Sequence, residues 1–447
     1  MAGQLRNGAK IGLILTAGLG LVGCGDSGPS LPSIPGVSSL FGASDKPPLP
    51  GERISVLSSD ANGTTGSIES KEPVLLPAAQ ENASWSQPGG APSNAPGHLA
   101  YSGGTKTIWS ESAGAGSNSD GRVTALPIVH GGKVFTLDRE GRVTAFSLTG
   151  GTVWKADLKP ENEKAEGGFG GGMAAEGERL YVGTGFGSIV ALNIGNGKPL
   201  WTKSLNVPIR TSPTVSNGKV FIVNSDSELF ALAGDDGRQL WTSRGLPEGA
   251  GVLSNVSPAV SGNTLVVSYA SGEVVALDVT SGEQRWTDSM TSGVAGASLT
   301  TIGDAARPVI DDGVVFAASR AGRIIATNLK SGERVWSRDI RAAQTPWVAG
   351  GSVFVVDTNS RLYALDRKAG KVKWATTLPE ARIWSGPTLA GGKLWVASNK
   401  GLLVGVDAKT GQIAAQRDLD NAVFISPVVA SGRMFVLTDK ARLIAMN

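Results

Sequence analysis

Short apolar runs separated by Gly-centred turns recur along most of this chain. In residues 257–286, SPAVSGNTLVVSYASGEVVALDVTSGEQRW, four such runs follow one another and the last ends on a tryptophan. Alternation such as Lys219-Val220-Phe221-Ile222-Val223 predicts a half-buried strand. Dipeptides such as Asp236-Gly237 and Ser281-Gly282 supply the positive-φ position of a tight hairpin between the third and fourth strands. The ending Gly-x-x-x-Trp falls at 150–154, 197–201, 237–241, 282–286, 332–336 and 370–374, a mean spacing of about 44 residues. Four strands per unit at that period predict the blades of a β-propeller.

Two further features recur in register. Several units open on a proline-containing strand, as in Ser212-Pro213-Thr214, Ser257-Pro258-Ala259 and Ser426-Pro427-Val428. The third strand carries a small residue at Ala145, Ala191, Ala231, Ala276, Ala364 and Ala445. That residue is expected to let neighbouring sheets approach, while the tryptophan fills the gap between twisted blades. A seventh ending is degenerate, with Ala415 in the tryptophan position after Gly411. Residues 422–447 supply three strands without a fourth, and an orphan strand ending in Trp109 lies upstream. Pairing the two predicts an all-β, eight-bladed propeller of four-stranded antiparallel blades, closed across its ends, which removes an open edge.

The N-terminal region has a different pattern. Residues 1–23 read as a lipoprotein signal peptide, with Arg6 and Lys10 before the apolar stretch from Ile11 to Val22. Leu21-Val22-Gly23-Cys24 resembles the bacterial lipobox, which implies acylation of Cys24 and anchoring to a membrane. Gly25 at the next position resembles lipoproteins sent to the outer membrane. Residues 24–80 are rich in Pro, Ser and Gly and read as a flexible tether, with the propeller from 81 to 447.

Composition narrows the chemistry. With 41 basic and 38 acidic side chains the formal charge is +3, too balanced to indicate a nucleic-acid partner. One cysteine and two histidines, His98 and His130, leave little for metal or acid–base work. The runs 167–172 and 183–187 are glycine-rich, but neither has the strand–loop–helix context of a phosphate site, and both read as blade turns. Acidic residues such as Asp235, Asp236, Asp311 and Asp312 also fall in turns.

The Gly-x-x-x-Trp ending after an Ala-Leu-Asp-like strand resembles the repeats of pyrroloquinoline-quinone (PQQ) propellers. Two families share that repeat: the quinoprotein dehydrogenases, and the BamB lipoproteins of the outer-membrane β-barrel assembly machine. The dehydrogenase family would need an adjacent cysteine pair, calcium ligands and large inter-blade loops, which this sequence does not offer. The BamB resemblance covers residues 80–447, the lipobox and the lead-in Trp85-Ser86-Gln87-Pro88-Gly89-Gly90. It implies a non-enzymatic scaffold without a cofactor, at the periplasmic face of the outer membrane, which docks on the barrel-inserting subunit, BamA. The alternative is a PQQ-dependent dehydrogenase or another small-ligand-binding propeller. By the same resemblance, Val207 and Ile209 would be apolar contacts to BamA and Arg210 a charged anchor. Asn255 stands where the family has an acidic contact. Extended segments of unfolded outer-membrane proteins would add as strands to exposed blade edges.

Overall fold

In each repeat the interior positions of the second and third strands are mostly apolar, so they can only be stable with both sheet faces covered. The computed structural model, which describes residues 68–246, 257–291, 305–320 and 322–447, covers them by stacking the repeats. Its strands form eight four-stranded antiparallel sheets. Seven blades are continuous in sequence, and residues 257–286 lie in the fourth of them, with strands Ala259–Ser261, Thr264–Ser268, Glu273–Asp278 and Gln284–Ser289. The eighth pairs Thr107–Ser112 with Arg442–Met446, followed by Arg433–Leu437 and Val428–Ala430. The ring is closed across the two ends of the propeller.

Blades are numbered here in chain order, with blade 1 at residues 128–157, blade 2 at 171–204, blade 3 at 214–244 and blade 8 the composite. Their first strands neighbour one another at the centre. Their fourth strands lie outside and alternate between exposed and covered positions, as in Gln239–Arg244.

The register explains the small residue of the third strand. Phe135 pairs with Ala145, which pairs with Trp154. The same aromatic–alanine–tryptophan line recurs at Tyr181-Ala191-Trp201, Phe221-Ala231-Trp241, Phe316-Ala326-Trp336, Phe354-Ala364-Trp374 and Phe435-Ala445-Trp109. The two rings meet over the alanine with centroids 5.6 to 6.1 Å apart. The alanine therefore makes room within its own blade, which corrects the expectation that it mainly spaces neighbouring blades.

Contact between blades falls to the other half of the motif. Each tryptophan ring lies against the glycine of the next blade's hairpin. A Cβ at Gly197 would stand 2.5 Å from the Trp154 ring, and one at Gly237 2.6 Å from Trp201. The indole N–H then donates to a carbonyl of that hairpin. The acceptors of Trp109, Trp154, Trp201, Trp241, Trp286, Trp336 and Trp374 are Leu148, Ile194, Gly234, Val279, Leu329, Arg367 and Ala408, at 2.8 to 3.1 Å. Seven of the eight blade junctions carry this link.

The chain reaches the ring earlier than the expected boundary near residue 80. The Glu69 and Ser70 amides donate to the Val372 carbonyl, Glu69 pairs with Arg338, and Val74 is buried. Cys24 and the signal segment lie outside the described residues.

Candidate functional site

The loop 205–213 joins the fourth strand of blade 2, Pro199–Ser204, to the first strand of blade 3, Thr214–Ser216. It is held by backbone at both ends. The Leu205 amide donates to Gly187, the Ile209 amide to Thr184, and the Ser225 amide to Pro208. The Thr211 hydroxyl donates to the Val223 carbonyl at 2.6 Å. Asn206 takes a positive φ of 58°, and its amide is met by the Ser204 hydroxyl.

The expected site residues separate into two groups. Val207 is half-buried and Pro208 exposed, so they form the accessible part of the loop. Ile209 is fully buried, in a cluster with Ile222, Val220 and Ile189. Its side chain anchors the loop from below, which corrects its expected place at the surface. The cause is the neighbouring strand: Gly183 has no side chain, and a Cβ there would come within 3.0 Å of Ile209 Cγ2.

Arg210 is half-buried and its guanidinium lies over the Phe169 ring, 3.9 Å from the centroid. Its Nη1 donates to the Phe169 carbonyl. Burial lowers its pKa from the ordinary arginine value, yet arginine stays charged at neutral pH. Among the described residues no carboxylate pairs with it. Asn255 lies outside the described residues, so the second half of the expected contact has no structural account.

The two glycine runs read as plain turns build this site. A Cβ at Gly185 would stand 2.3 Å from the Phe169 carbonyl oxygen, and one at Gly170 2.7 Å from Arg210 Cδ. The runs pack backbone on backbone, which places the Phe169 carbonyl where Arg210 can reach it. The runs meet because they flank the first hairpin of blade 2, where Gly171 pairs with Thr184 and Gly172 with Gly183; the sequence held no signal that Phe169 would lie under Arg210.

Several aspartates are occupied with their own turns. Asp278 Oδ1 accepts from the Thr280 and Ser281 amides, and Asp366 and Asp407 repeat the arrangement in blades 6 and 7. Among the described residues, no group of three or more His, Cys, Asp or Glu is placed to hold a metal ion.

Comparison with known proteins follows the same lines. A quinohemoprotein alcohol dehydrogenase from Comamonas testosteroni superposes with TM-score 0.65 at 16% identity, covering 82% of this chain and 81% of that one. At that identity the likeness concerns the fold. BamB from Moraxella catarrhalis superposes with TM-score 0.62 at 18% identity, over 76% of this chain and 97% of that one. The outer membrane protein assembly factor BamB of Yersinia pestis is 30% identical over 320 residues, 69% of this chain and 81% of that protein. Its counterpart in Escherichia coli is 27% identical over 68% of this chain and 79% of that protein. The family described as outer membrane protein assembly factor BamB matches residues 139–376 and 377–447. With that match spanning most of the propeller, the chain belongs to the BamB family.

Proposed function

We propose that this chain is a non-enzymatic accessory scaffold in outer-membrane protein assembly, docking on the barrel-inserting subunit, BamA, through the loop 205–213. The family carries the assembly role. The observation that carries the site is Arg210, which is stacked, half-desolvated and without a carboxylate partner among the described residues. A guanidinium has five donors in a rigid fork, and one of these reaches Phe169. A carboxylate offered by a partner would complete a charge-assisted pair that the loop has already oriented. Val207 and Pro208 beside it supply apolar cover that can exclude water around the arginine, a residue type enriched at interface hot spots. Ile209 fixes the loop's height from beneath.

Lipid on Cys24 would hold the scaffold at the periplasmic face of the outer membrane, with residues 1–23 removed and the segment after Cys24 acting as a tether. Replacing Cys24 by Ser should abolish incorporation of a labelled fatty acid into the protein.

The test is capture from detergent-solubilised membranes by the intact chain and by a Val207→Asp, Arg210→Glu variant. Ile209 is left alone because truncating a buried residue would confuse unfolding with lost contact. The expected result is recovery of the barrel-inserting subunit by the parent and at least about a tenfold loss with the variant, at unchanged melting temperature. Equal recovery by both would remove the loop from the interface. Recovery by neither would overturn the scaffold reading.

A further inference from the structure

Residues 80–101 make one circuit of the ring, touching the eight first strands in turn. Asn82 Nδ2 donates to Val429 of blade 8. Trp85 exchanges both backbone hydrogen bonds with Val129 of blade 1, and the Ala175 amide of blade 2 donates to Ser86. The Gln87 side chain both donates to and accepts from Val215 of blade 3, each at 3.1 Å, so its amide copies a strand's backbone pair. The Val260 and Ile310 amides of blades 4 and 5 donate to Pro92 and Ser93. In blade 6 the Trp347 indole donates to Gly97, and in blade 7 the Leu99 amide donates to Leu389.

The inner edge of each first strand has no neighbouring strand, so its amides need another partner once water is excluded. The circuit supplies one, and four of its larger side chains are buried: Trp85, Gln87, Asn94 and Leu99 are all below 5% exposed. Trp85 stacks on Trp347, which joins the circuit to blade 6, with ring centroids 6.2 Å apart. Both histidines of the chain serve the same segment. His98 Nδ1 donates to Pro77 and its Nε2 accepts from the Gly392 amide, while His130 bonds the Ser86 hydroxyl and the Gly177 carbonyl.

We propose that this segment is a fixed seal that closes the central channel at one face, so that neither an extended peptide nor a solute threads the ring. The face is set by connectivity. Ser431, Gly391 and Gly392, which bond the circuit, lie in first-to-second strand turns. The loop 205–213 joins a fourth strand to a first and therefore lies on the opposite face of antiparallel blades. Partners are left with that open face and the outer strands. This proposal does not depend on the loop being the partner site.

Residue-resolved hydrogen exchange on the full chain tests it. The amides of Val129, Ala175, Val215, Val260 and Ile310 should exchange as slowly as the second-strand amides of Val134 and Val220. A Gln87→Ala variant should speed Val215 by at least about tenfold, with little change at Val134. Exchange of the five amides at the rate of an unstructured peptide, beside protected second strands, would make the segment a displaceable arm and overturn the seal. Unchanged exchange at Val215 in the variant would also count against it.

Discussion

At the scale of single residues, the tryptophan of the fourth strand does two jobs in six of the eight blades. It covers an aromatic of its own blade and bonds the hairpin of the next. Trp154 is 9% exposed, and truncation to Ala removes both contacts and leaves a cavity. The expected cost is about 3–5 kcal/mol, read as a lower melting temperature. Gly170 matters for a different reason, with φ at +98° and Arg210 Cδ where a Cβ would lie. Gly170→Ala should cost about 1–3 kcal/mol through backbone strain and weaken capture of the barrel-inserting subunit. Asp278 shows the electrostatics of the turns. The Arg285 hydrogen bond, aided by the Ser281 and Thr280 amides, holds its pKa down to about 2. A depressed carboxylate stabilises the fold above its unfolded value of 3.8, and that contribution is lost as pH falls through about 2. In Arg285→Ala the Asp278 titration should move up toward the ordinary carboxylate range, as followed by NMR.

At the scale of the blade, blade 7 departs from the repeat and shows why the repeat exists. Its line reads Trp395-Gly405-Ala415, with the large ring moved from the fourth strand to the second. A Cβ on Gly405 would stand 2.9 Å from Trp395 Cζ3, so glycine replaces the usual alanine. The tryptophan at position 415 would have faced blade 8, whose third and fourth strands come from opposite ends of the propeller and share no hairpin. With no hairpin glycine to lie on and no hairpin carbonyl to bond, an indole there has no function. Arg417 makes the junction instead, bonding the Thr105 carbonyl and the Thr107 hydroxyl. Restoring the repeat with Ala415→Trp should therefore not raise the melting temperature. Gly405→Ala should lower it, through an overpacking cost of about 1–3 kcal/mol in stability. A rise in stability with Ala415→Trp would mean that the missing hairpin is not the reason for the alanine.

At the scale of the whole molecule, the ring is tied twice, by the composite blade and by the circuit of residues 80–101. Disrupting the first tie alone, for example by Leu443→Pro in the C-terminal strand, removes a ladder bond to Thr107–Ser112 and exposes two edges. The expected outcome is a lower melting temperature and concentration-dependent association in light scattering. The all-β class, the eight blades, the four strands in each and the closure were legible in the sequence. The first three rest on local signals, alternation within five residues, a turn glycine and a tryptophan at a constant spacing, and the closure on three strands left over at one end and one at the other. Propeller geometry then follows, because repeats that cannot cover both faces alone must stack. The tertiary structure alone decided what depends on residues far apart in sequence. Ile209, read as a surface contact, is a core residue because Gly183 leaves room for it. The two glycine runs, read as turns, carry the Phe169 platform of Arg210. The lead-in segment, read as an approach to the first strand, encircles the channel. In each case the neighbour that sets the residue's role lies on another strand or blade, and a one-dimensional pattern records period and polarity without recording which neighbour that is.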